Sequence, residues 1–300
     1  MVSPKKTQDH SFYKSQDLKK TWSFSLYNKY DTDKTAWTWN HLPFGDTKTS
    51  RSMWYKKPQR KIKGSILEIG SASGRAYDFI KNSHLVDHSD YTGLEISQQG
   101  IDTSKKKYPE ANWLQADATI FKPKRHYDYL FERIAFHHMP DPVSVIDKFS
   151  KYIDKAISTT FVSCLNGDTI SDLKLARYRH PNNNYVYFDI INVFEVIETL
   201  YNNGFNDISL YHGRLHEKVY SDPLALQYVS PEVSWKNRYV GRCVVFAQKK
   251  PELSSLKIST SYSWLARLNR PAVNLIEDRV KRMSGKRDGV LYDSPYNPVK

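Results

Sequence analysis

The chain contains 300 residues, of which 39% are hydrophobic, 14% aromatic and 26% charged, and it has two cysteines. This composition can fill a hydrophobic core, which excludes an intrinsically disordered chain, and two cysteines exclude a disulfide framework or a thiolate zinc site. At about 100–200 residues per domain, we expect one large domain with extensions or two small domains.

The sequence carries no sign of a membrane span or a secretory signal. No segment approaches the roughly 18 consecutive apolar residues of a transmembrane helix. Residues 1–20 are polar and lysine-rich and lack the apolar stretch of a signal peptide. We therefore expect a cytoplasmic protein, in line with its low cysteine content.

The positive charge of the chain is concentrated at its two ends. The net charge is +13, of which residues 1–63 carry +9, residues 64–250 carry 0 and residues 251–300 carry +4. We predict a neutral central domain with a basic N-terminal cap and a basic C-terminal extension. Such flanks are typical of proteins that attract nucleic acid, anionic lipid or a charged glycan, and a solvated lysine-rich surface is the alternative.

Residues 21–62 are rich in large aromatic side chains and contain four of the seven tryptophans. Because rings of this size bury a large apolar area, we predict that this segment packs on the central domain as a cap. Residues 1–20, which precede it, are expected to be loosely attached.

Strand and helix patterns alternate from Ser65 onward. Strands are predicted at residues 66–70, 91–95, 113–117, 127–131 and 157–164, and helices at 76–82, at 98–107 and after Pro142. Repeated βα units predict an α/β fold with a mostly parallel sheet and helices on both of its faces.

The C-terminal half of the chain extends this pattern. Apolar residues recur at helical spacing over 190–201, where Asp189 is positioned to cap the helix start and Gly204 its end. Two further strands are predicted at residues 208–211 and 240–248. A last helix begins at Pro271, and its apolar face would either dock on the core or lie on a membrane surface.

A glycine turn follows the first predicted strand. Gly70 permits a sharp turn that a Cβ atom would obstruct, and the small residues 71–73 let a ligand approach the backbone. The N–H groups at the start of the next helix would face a carboxylate or another anion. A purely structural βα turn has the same pattern, so this segment alone does not establish a binding site.

Acidic residues end the second and third predicted strands. Glu95, 21 residues after Gly74, is positioned to accept hydrogen bonds from both hydroxyls of a ribose. Asp117 is positioned to bind the amino group of an adenine. Each alone could be an ordinary carboxylate, but the carboxyl ends of parallel strands meet at one crevice, where open α/β sheets bind their ligands.

Residues 64–250 resemble a class I S-adenosylmethionine-dependent methyltransferase. The matching segments are, in chain order, residues 67–74, Glu95, 115–118, 127–141, 205–211 and 242–249, of which 127–141 is the most specific. The resemblance implies a Rossmann-like, seven-stranded, mostly parallel sheet that ends in an antiparallel pair. The chain departs from the family at Ala72, where the first motif has its central glycine, and a methyl group there would narrow the site slightly.

The resemblance also implies a cofactor, S-adenosylmethionine, and a product, S-adenosylhomocysteine. Glu68 and the turn 70–74 would hold the methionine part, Glu95 the ribose, and Asp117 with Ala118 the adenine. The full set of cofactor-binding residues implied is Glu68, Gly70, Ser71, Ala72, Ser73, Gly74, Glu95, Ile96, Asp117, Ala118, Glu132 and Arg133. No paired acidic motif indicates a metal site, so no metal is assigned.

Two adjacent histidines, His137 and His138, follow the fourth predicted strand. Because histidine titrates near neutral pH, either ring could remove the proton from an acceptor hydroxyl. A structural role in capping the following turn is the alternative. The Asn/Asp-Pro-Pro-Tyr/Phe motif of amino-methylating nucleic-acid enzymes is missing at residues 132–135, which favours oxygen as the methylated atom.

Three functional hypotheses follow. The first is an O-methyltransferase that acts on a saccharide, a glycoconjugate or another small molecule, including an anionic one. The second is an RNA methyltransferase whose basic flanks bind phosphates, so that its affinity would fall steeply with salt. The third is a non-catalytic binding module, and the joint presence of Glu68, Glu95 and Asp117 argues against it.

Overall fold

The computed structural model describes residues 63–83, 90–179, 185–216, 227–230, 232–234, 238–262 and 264–284. The predicted aromatic cap over 21–62 lies outside the described residues. The neutral central domain and the first part of the C-terminal extension are therefore the segments whose structure is described.

The described residues contain twelve strands. They are β1 (Ile66–Ile69), β2 (Tyr91–Glu95), β3 (Asn112–Gln115), β4 (Tyr127–Glu132), β5 (Ile153–Cys164), β6 (Ala176–Arg179), β7 (Tyr185–Tyr187), β8 (Ile191–Asn192), β9 (Asp207–His216), β10 (Gln227–Val229), β11 (Val240–Gln248) and β12 (Lys257–Tyr262). Nine of them form one sheet in the order β12–β9–β11–β5–β4–β1–β2–β3, with β8 paired to β5.

The sheet has the arrangement that the sequence predicted. The pairs formed among strands β1 to β5 are all parallel, whereas β11 is antiparallel to both β5 and β9. Seven strands therefore form a mostly parallel sheet that ends in an antiparallel pair. The short β8 and the edge strand β12 are additions to the seven strands expected.

The helices connect the strands and cover the sheet. They are α1 (Arg75–Ser83), α2 (Gln98–Lys107), α3 (Pro142–Ser150), α4 (Val193–Asn202), α5 (Trp264–Arg267) and α6 (Arg270–Met283), with a short 3-10 helix at Phe136–His138. Side-chain caps define several starts, as where Ser97 accepts a hydrogen bond from the Gly100 N–H group of α2.

The helix predicted over 190–201 begins at Val193, and the prediction that Asp189 caps it is wrong. Ile190 lies in a bridge and the next two residues form β8, so the chain is still extended there. The Asn192 side chain caps α4 instead, accepting a hydrogen bond from the Phe194 N–H group at 2.8 Å. Ile190, the first residue of the predicted helical pattern, is therefore extended, and periodicity alone does not distinguish this case from a helix.

The structure contains strands that the sequence analysis did not predict. Strand β12 lies beyond residue 250, where the central domain was expected to end, and it pairs in parallel with β9. The polar segment after β5 contributes β6 and β7, which form a separate three-stranded antiparallel sheet with β10. The main sheet therefore continues into the C-terminal extension.

Helix α6 docks on the core of the central domain. Its residues Val273, Ile276 and Val280 are buried in the same apolar cluster as Leu210 of β9 and Val245 of β11. Of the two alternatives for this apolar face, the structure shows docking. Among the described residues, no helix combines the length and the apolar composition needed to cross a bilayer.

Candidate functional site

The turn between β1 and α1 contains three residues in the left-handed backbone region. Gly70, Ala72 and Gly74 adopt positive φ angles of 71°, 50° and 78°. Glycine adopts this conformation without steric cost, whereas for Ala72 it costs about 1–2 kcal/mol. Alanine in place of the family's central glycine therefore preserves the course of the turn. Ser71 and Ser73, in the same turn, are buried.

Glycines allow this turn to lie close to two neighbours. A Cβ atom on Gly70 would lie 2.4 Å from the Cβ of Ala135, in the turn after β4. A Cβ atom on Gly74 would lie 2.8 Å from the ring of Trp113 on β3. The two turns that border the crevice therefore meet at Gly70.

Glu95 ends β2 and faces the β1 turn. Its Oε2 accepts a hydrogen bond from the Ala72 N–H group at 2.8 Å, and its Oε1 accepts one from the Ser97 N–H group at 2.9 Å. These donors fix the carboxylate, and a carboxylate oxygen is able to accept more than one hydrogen bond. Ile96 follows in a half-buried position, where its carbonyl accepts a hydrogen bond from Gln115 at 3.3 Å.

The turn after β3 presents an acceptor and a donor side by side. Asp117 Oδ1 accepts hydrogen bonds from the N–H and hydroxyl groups of Thr119 at 2.8 and 2.7 Å. Among the residues that the structure describes, neither Asp117 Oδ2 nor the Ala118 N–H group has a hydrogen-bond partner. This pair matches the amino group and the N1 acceptor of an adenine, because the amino group donates and N1 accepts.

Three buried carboxyl groups lie at the carboxyl ends of β1, β2 and β4. Burial raises the pKa of Glu68 well above its usual range, Arg133 opposes this shift, and the charges of Glu95 and Glu132 add to it. The Tyr91 hydroxyl donates a hydrogen bond to Glu68. Buried carboxyl groups in such proximity favour a cationic ligand, since its charge would stabilise their ionised forms.

Glu132 binds internal donors with both of its oxygens. Oε1 accepts hydrogen bonds from the N–H groups of Ala135 and Phe136, and Oε2 accepts them from the Thr159 hydroxyl and the Thr160 N–H group. Burial raises its pKa to about 7. Glu132 thus joins β4 to β5 and shapes the turn that meets Gly70, while its contact with a cofactor stays a prediction.

Backbone strain marks the start of that turn. Ile134 adopts a φ angle of 61°, which is rare for a β-branched residue and costs about 1–3 kcal/mol. Its N–H group donates a hydrogen bond to the Thr160 carbonyl at 2.9 Å, which holds the turn against β5. Arg133 precedes it in a half-buried position. Conformations of this kind concentrate at functional sites.

The histidine pair forms a hydrogen-bonded chain. His138 Nδ1 lies 2.8 Å from the Tyr187 carbonyl, which only accepts, so His138 Nδ1 donates. The Nε2 atoms of His137 and His138 lie 2.9 Å apart, so with both rings neutral His137 donates and its Nδ1 carries no proton. That Nδ1 atom is buried and has no hydrogen-bond partner among the described residues.

One residue at the site was missed by the sequence analysis. Lys148, on α3, donates a hydrogen bond from Nζ to the Ala118 carbonyl. In the sequence, the feature that pointed to this residue was a lysine directly before Phe149, an apolar residue on the core-facing side of the helix. The sequence pattern does not indicate which carbonyl such a lysine would reach.

Known proteins share this architecture. The family model described as a methyltransferase domain matches residues 67–155, which run from β1 into β5. Trans-aconitate 2-methyltransferase from Rhizobium leguminosarum bv. trifolii (strain WSM2304) is 22% identical over 127 residues, covering 42% of this chain and 44% of that protein. The chain therefore matches less than half of the length of this relative.

The fold also matches a solved structure, that of the DhpI–SAH complex. The TM-score is 0.51 at 15% identity, and the match covers 82% of this chain and 100% of that chain. This likeness concerns the fold. The matched family segment and the strand order support a class I S-adenosylmethionine-dependent methyltransferase.

Proposed function

We propose that this protein transfers a methyl group from S-adenosylmethionine to a hydroxyl group of a saccharide, a glycoconjugate or another small molecule. The observation that carries the proposal is that Asp117 Oδ2, an acceptor, and the Ala118 N–H group, a donor, have no hydrogen-bond partner among the described residues. This pair adjoins β2, because the Ala116 N–H group donates a hydrogen bond to the Glu95 carbonyl at 3.0 Å. An adenosyl group bound here would meet Glu95 with its ribose.

The site residues fit this cofactor. When bound, S-adenosylmethionine supplies an electrophilic methyl carbon on a sulfonium. Glu95 would hold the ribose, Asp117 and Ala118 the adenine, and the turn 70–74 the methionine part. Burial raises the pKa of Glu68, and the positive charge of a cationic molecule would stabilise its ionised form.

The described residues favour an oxygen acceptor over a covalent attack on a nucleobase. Burial raises the pKa of Cys164 to about 12 and also raises that of Cys243, so neither provides a thiolate near neutral pH. At the end of β4, Glu132 is held by internal donors where amino-methylating enzymes carry their Asn/Asp-Pro-Pro motif. A hydroxyl acceptor requires instead a base that removes its proton.

The base in this proposal is the histidine pair. Burial, together with the charges of His138 and Arg242, holds the pKa of His137 well below its usual range, so that this ring is neutral at pH 7. Protonation of the pair would place the positive charge on the half-buried His138, whose Nδ1 would still donate a hydrogen bond to the Tyr187 carbonyl.

A methyl-transfer assay tests the proposal. Purified full-length protein is incubated with S-adenosylmethionine carrying an isotopically labelled methyl group, and with oligosaccharides, small hydroxylated molecules or RNA in parallel. Label in an ether carbon of a saccharide or small molecule is the expected result. Calorimetry with S-adenosylhomocysteine, run beside it, should show binding, and no binding of either cofactor form would refute the proposal.

Salt dependence separates the acceptor classes. An RNA enzyme that neutralises several phosphates would lose affinity by orders of magnitude between about 50 and 200 mM salt. A neutral saccharide acceptor would bind almost equally at both concentrations. Label found only in RNA, with a steep salt dependence, would replace the saccharide hypothesis by the RNA hypothesis.

A further inference from the structure

A lysine that the catalytic proposal does not use reaches the adenine side of the site. Lys148 lies in the last turn of α3 and is half-buried. Its Nζ donates a hydrogen bond to the carbonyl of Ala118, 30 residues earlier in the chain. The contact ties α3 to the turn that presents Asp117 Oδ2 and the Ala118 N–H group.

The contact fixes a peptide group from both sides. The carbonyl of the Ala118–Thr119 peptide accepts from Lys148, and the N–H group of the same peptide donates to Asp117 Oδ1 at 2.8 Å. A peptide group is planar, so holding its oxygen and its hydrogen fixes its orientation. The Asp117 carboxylate is oriented by that N–H group, and the Ala118 N–H group lies one peptide earlier.

Lys148 acts on this turn by charge as well as by the hydrogen bond. Burial lowers the pKa of its ammonium group to about 8, the charge of Asp117 raises it, and that of Lys122 lowers it. A hydrogen bond from a charged donor in a partly buried position is stronger than a neutral one.

The docking of α3 on this turn does not depend on Lys148. The rings of Phe121 and Phe149 stack with centroids 6.4 Å apart and an interplanar angle of 18°. Val145 and Ile146, on the same helix, are buried in the core. Replacing Lys148 should therefore release the Ala118 carbonyl while leaving the helix in place.

We propose that Lys148 is a positioning residue for the adenine of the cofactor. By holding the Ala118–Thr119 peptide, it keeps Asp117 Oδ2 in position to accept a hydrogen bond from the amino group of adenine, and the Ala118 N–H group in position to donate one to N1. The inference rests on the proposed cofactor. Hypoxanthine has a carbonyl in place of the amino group and a proton on N1, so its donor and acceptor are exchanged. The ratio of affinities for the two bases therefore reports how well Asp117 Oδ2 and the Ala118 N–H group are placed.

The test compares S-adenosylhomocysteine with S-inosylhomocysteine on four full-length proteins. Calorimetry gives both dissociation constants for wild type, Lys148→Met, Lys148→Arg and Lys151→Met. Lys151 is the matched control, since it is exposed and pairs with Asp147 at 2.7 Å on the same stretch of chain. Thermal unfolding of each variant checks that it is folded.

Wild type should prefer the adenine compound, and this preference should fall about tenfold in Lys148→Met, the size expected for one hydrogen bond from a charged group. Lys148→Arg and Lys151→Met should stay within about threefold of the wild-type ratio. An unchanged ratio in folded Lys148→Met would overturn the inference and leave the proposed function standing. No binding of either compound to wild type would overturn both.

Discussion

Replacing Gly70 with alanine should destabilise the protein by about 2–5 kcal/mol. The new Cβ would lie 2.4 Å from the Cβ of Ala135, whereas carbon atoms pack best at about 3.5–4.0 Å, so one of the two turns must move by about 1 Å. Overpacking of this kind costs about 1–3 kcal/mol. The positive φ angle of 71° adds about 1–2 kcal/mol for an alanine.

A second substitution separates these two costs. Ala135→Gly removes the atom that clashes, and the backbone at this position, with φ of −100° and ψ of −38°, suits any residue. Alone it should cost about 0.5–1 kcal/mol because glycine is more flexible in the unfolded chain. The double variant Gly70→Ala/Ala135→Gly should be about 1–3 kcal/mol more stable than the sum of the single effects predicts.

Urea unfolding of the four proteins gives this coupling energy directly. Calorimetry with S-adenosylhomocysteine on the same proteins reports whether the turn recovers its shape, and the double variant should bind more tightly than Gly70→Ala. Single effects that add within about 0.5 kcal/mol would show that contact with Ala135 is not why glycine is needed, and would refute the reasoning.

Three further predictions concern single side chains. Glu95→Gln should weaken S-adenosylhomocysteine binding at least about tenfold, because an amide NH2 group replaces one of the two oxygens that accept hydrogen bonds from the ribose and from the backbone. The exposed Glu252→Gln is the control. Near-normal affinity of Glu95→Gln, equal to that of the control, would remove the ribose assignment. His138→Ala should lower turnover with little change in cofactor affinity, and unchanged turnover would make this ring structural. His212 is fully buried, and burial lowers its pKa to about 3, so the folded protein keeps it neutral while the unfolded chain takes up a proton below about pH 6.5. The stabilising effect of neutral His212 is therefore present above pH 6.5 and lost as the pH falls. Between pH 8 and pH 5, the free energy of unfolding should fall by about 2 kcal/mol less in His212→Phe than in wild type, as measured by urea unfolding. An equal acid loss in both proteins would contradict this.

Local patterns in the sequence predicted the fold class and the edge of the sheet where the site lies. The alternation of short apolar strands and helices from Ser65 onward indicated a parallel sheet, which the structure confirms. Parallel strands bring their carboxyl ends to one edge, so Glu95 and Asp117 were expected to be neighbours. The hydrogen bond from the Ala116 N–H group to the Glu95 carbonyl shows that their strands adjoin there.

Other features depend on partners that are distant in the chain. Asp189 was predicted to cap a helix, but it is buried and accepts a hydrogen bond from Ser171, because the residues that follow it join the sheet. Strand β12 has a polar sequence and lies beyond the predicted end of the domain. Its pairing with β9 became visible only in the assembled sheet.

The sequence by itself determined the order of the βα units and the acidic residues at the strand ends, because these follow from local periodicity and the geometry of parallel strands. Only the tertiary structure decided how each polar group is used. It assigned Glu132 to donors on β5, left Asp117 Oδ2 and the Ala118 N–H group without described partners, and brought Lys148 to the Ala118 carbonyl. The physical reason is that a hydrogen bond forms where packing places a donor beside an acceptor, and packing is decided by contacts across the whole chain.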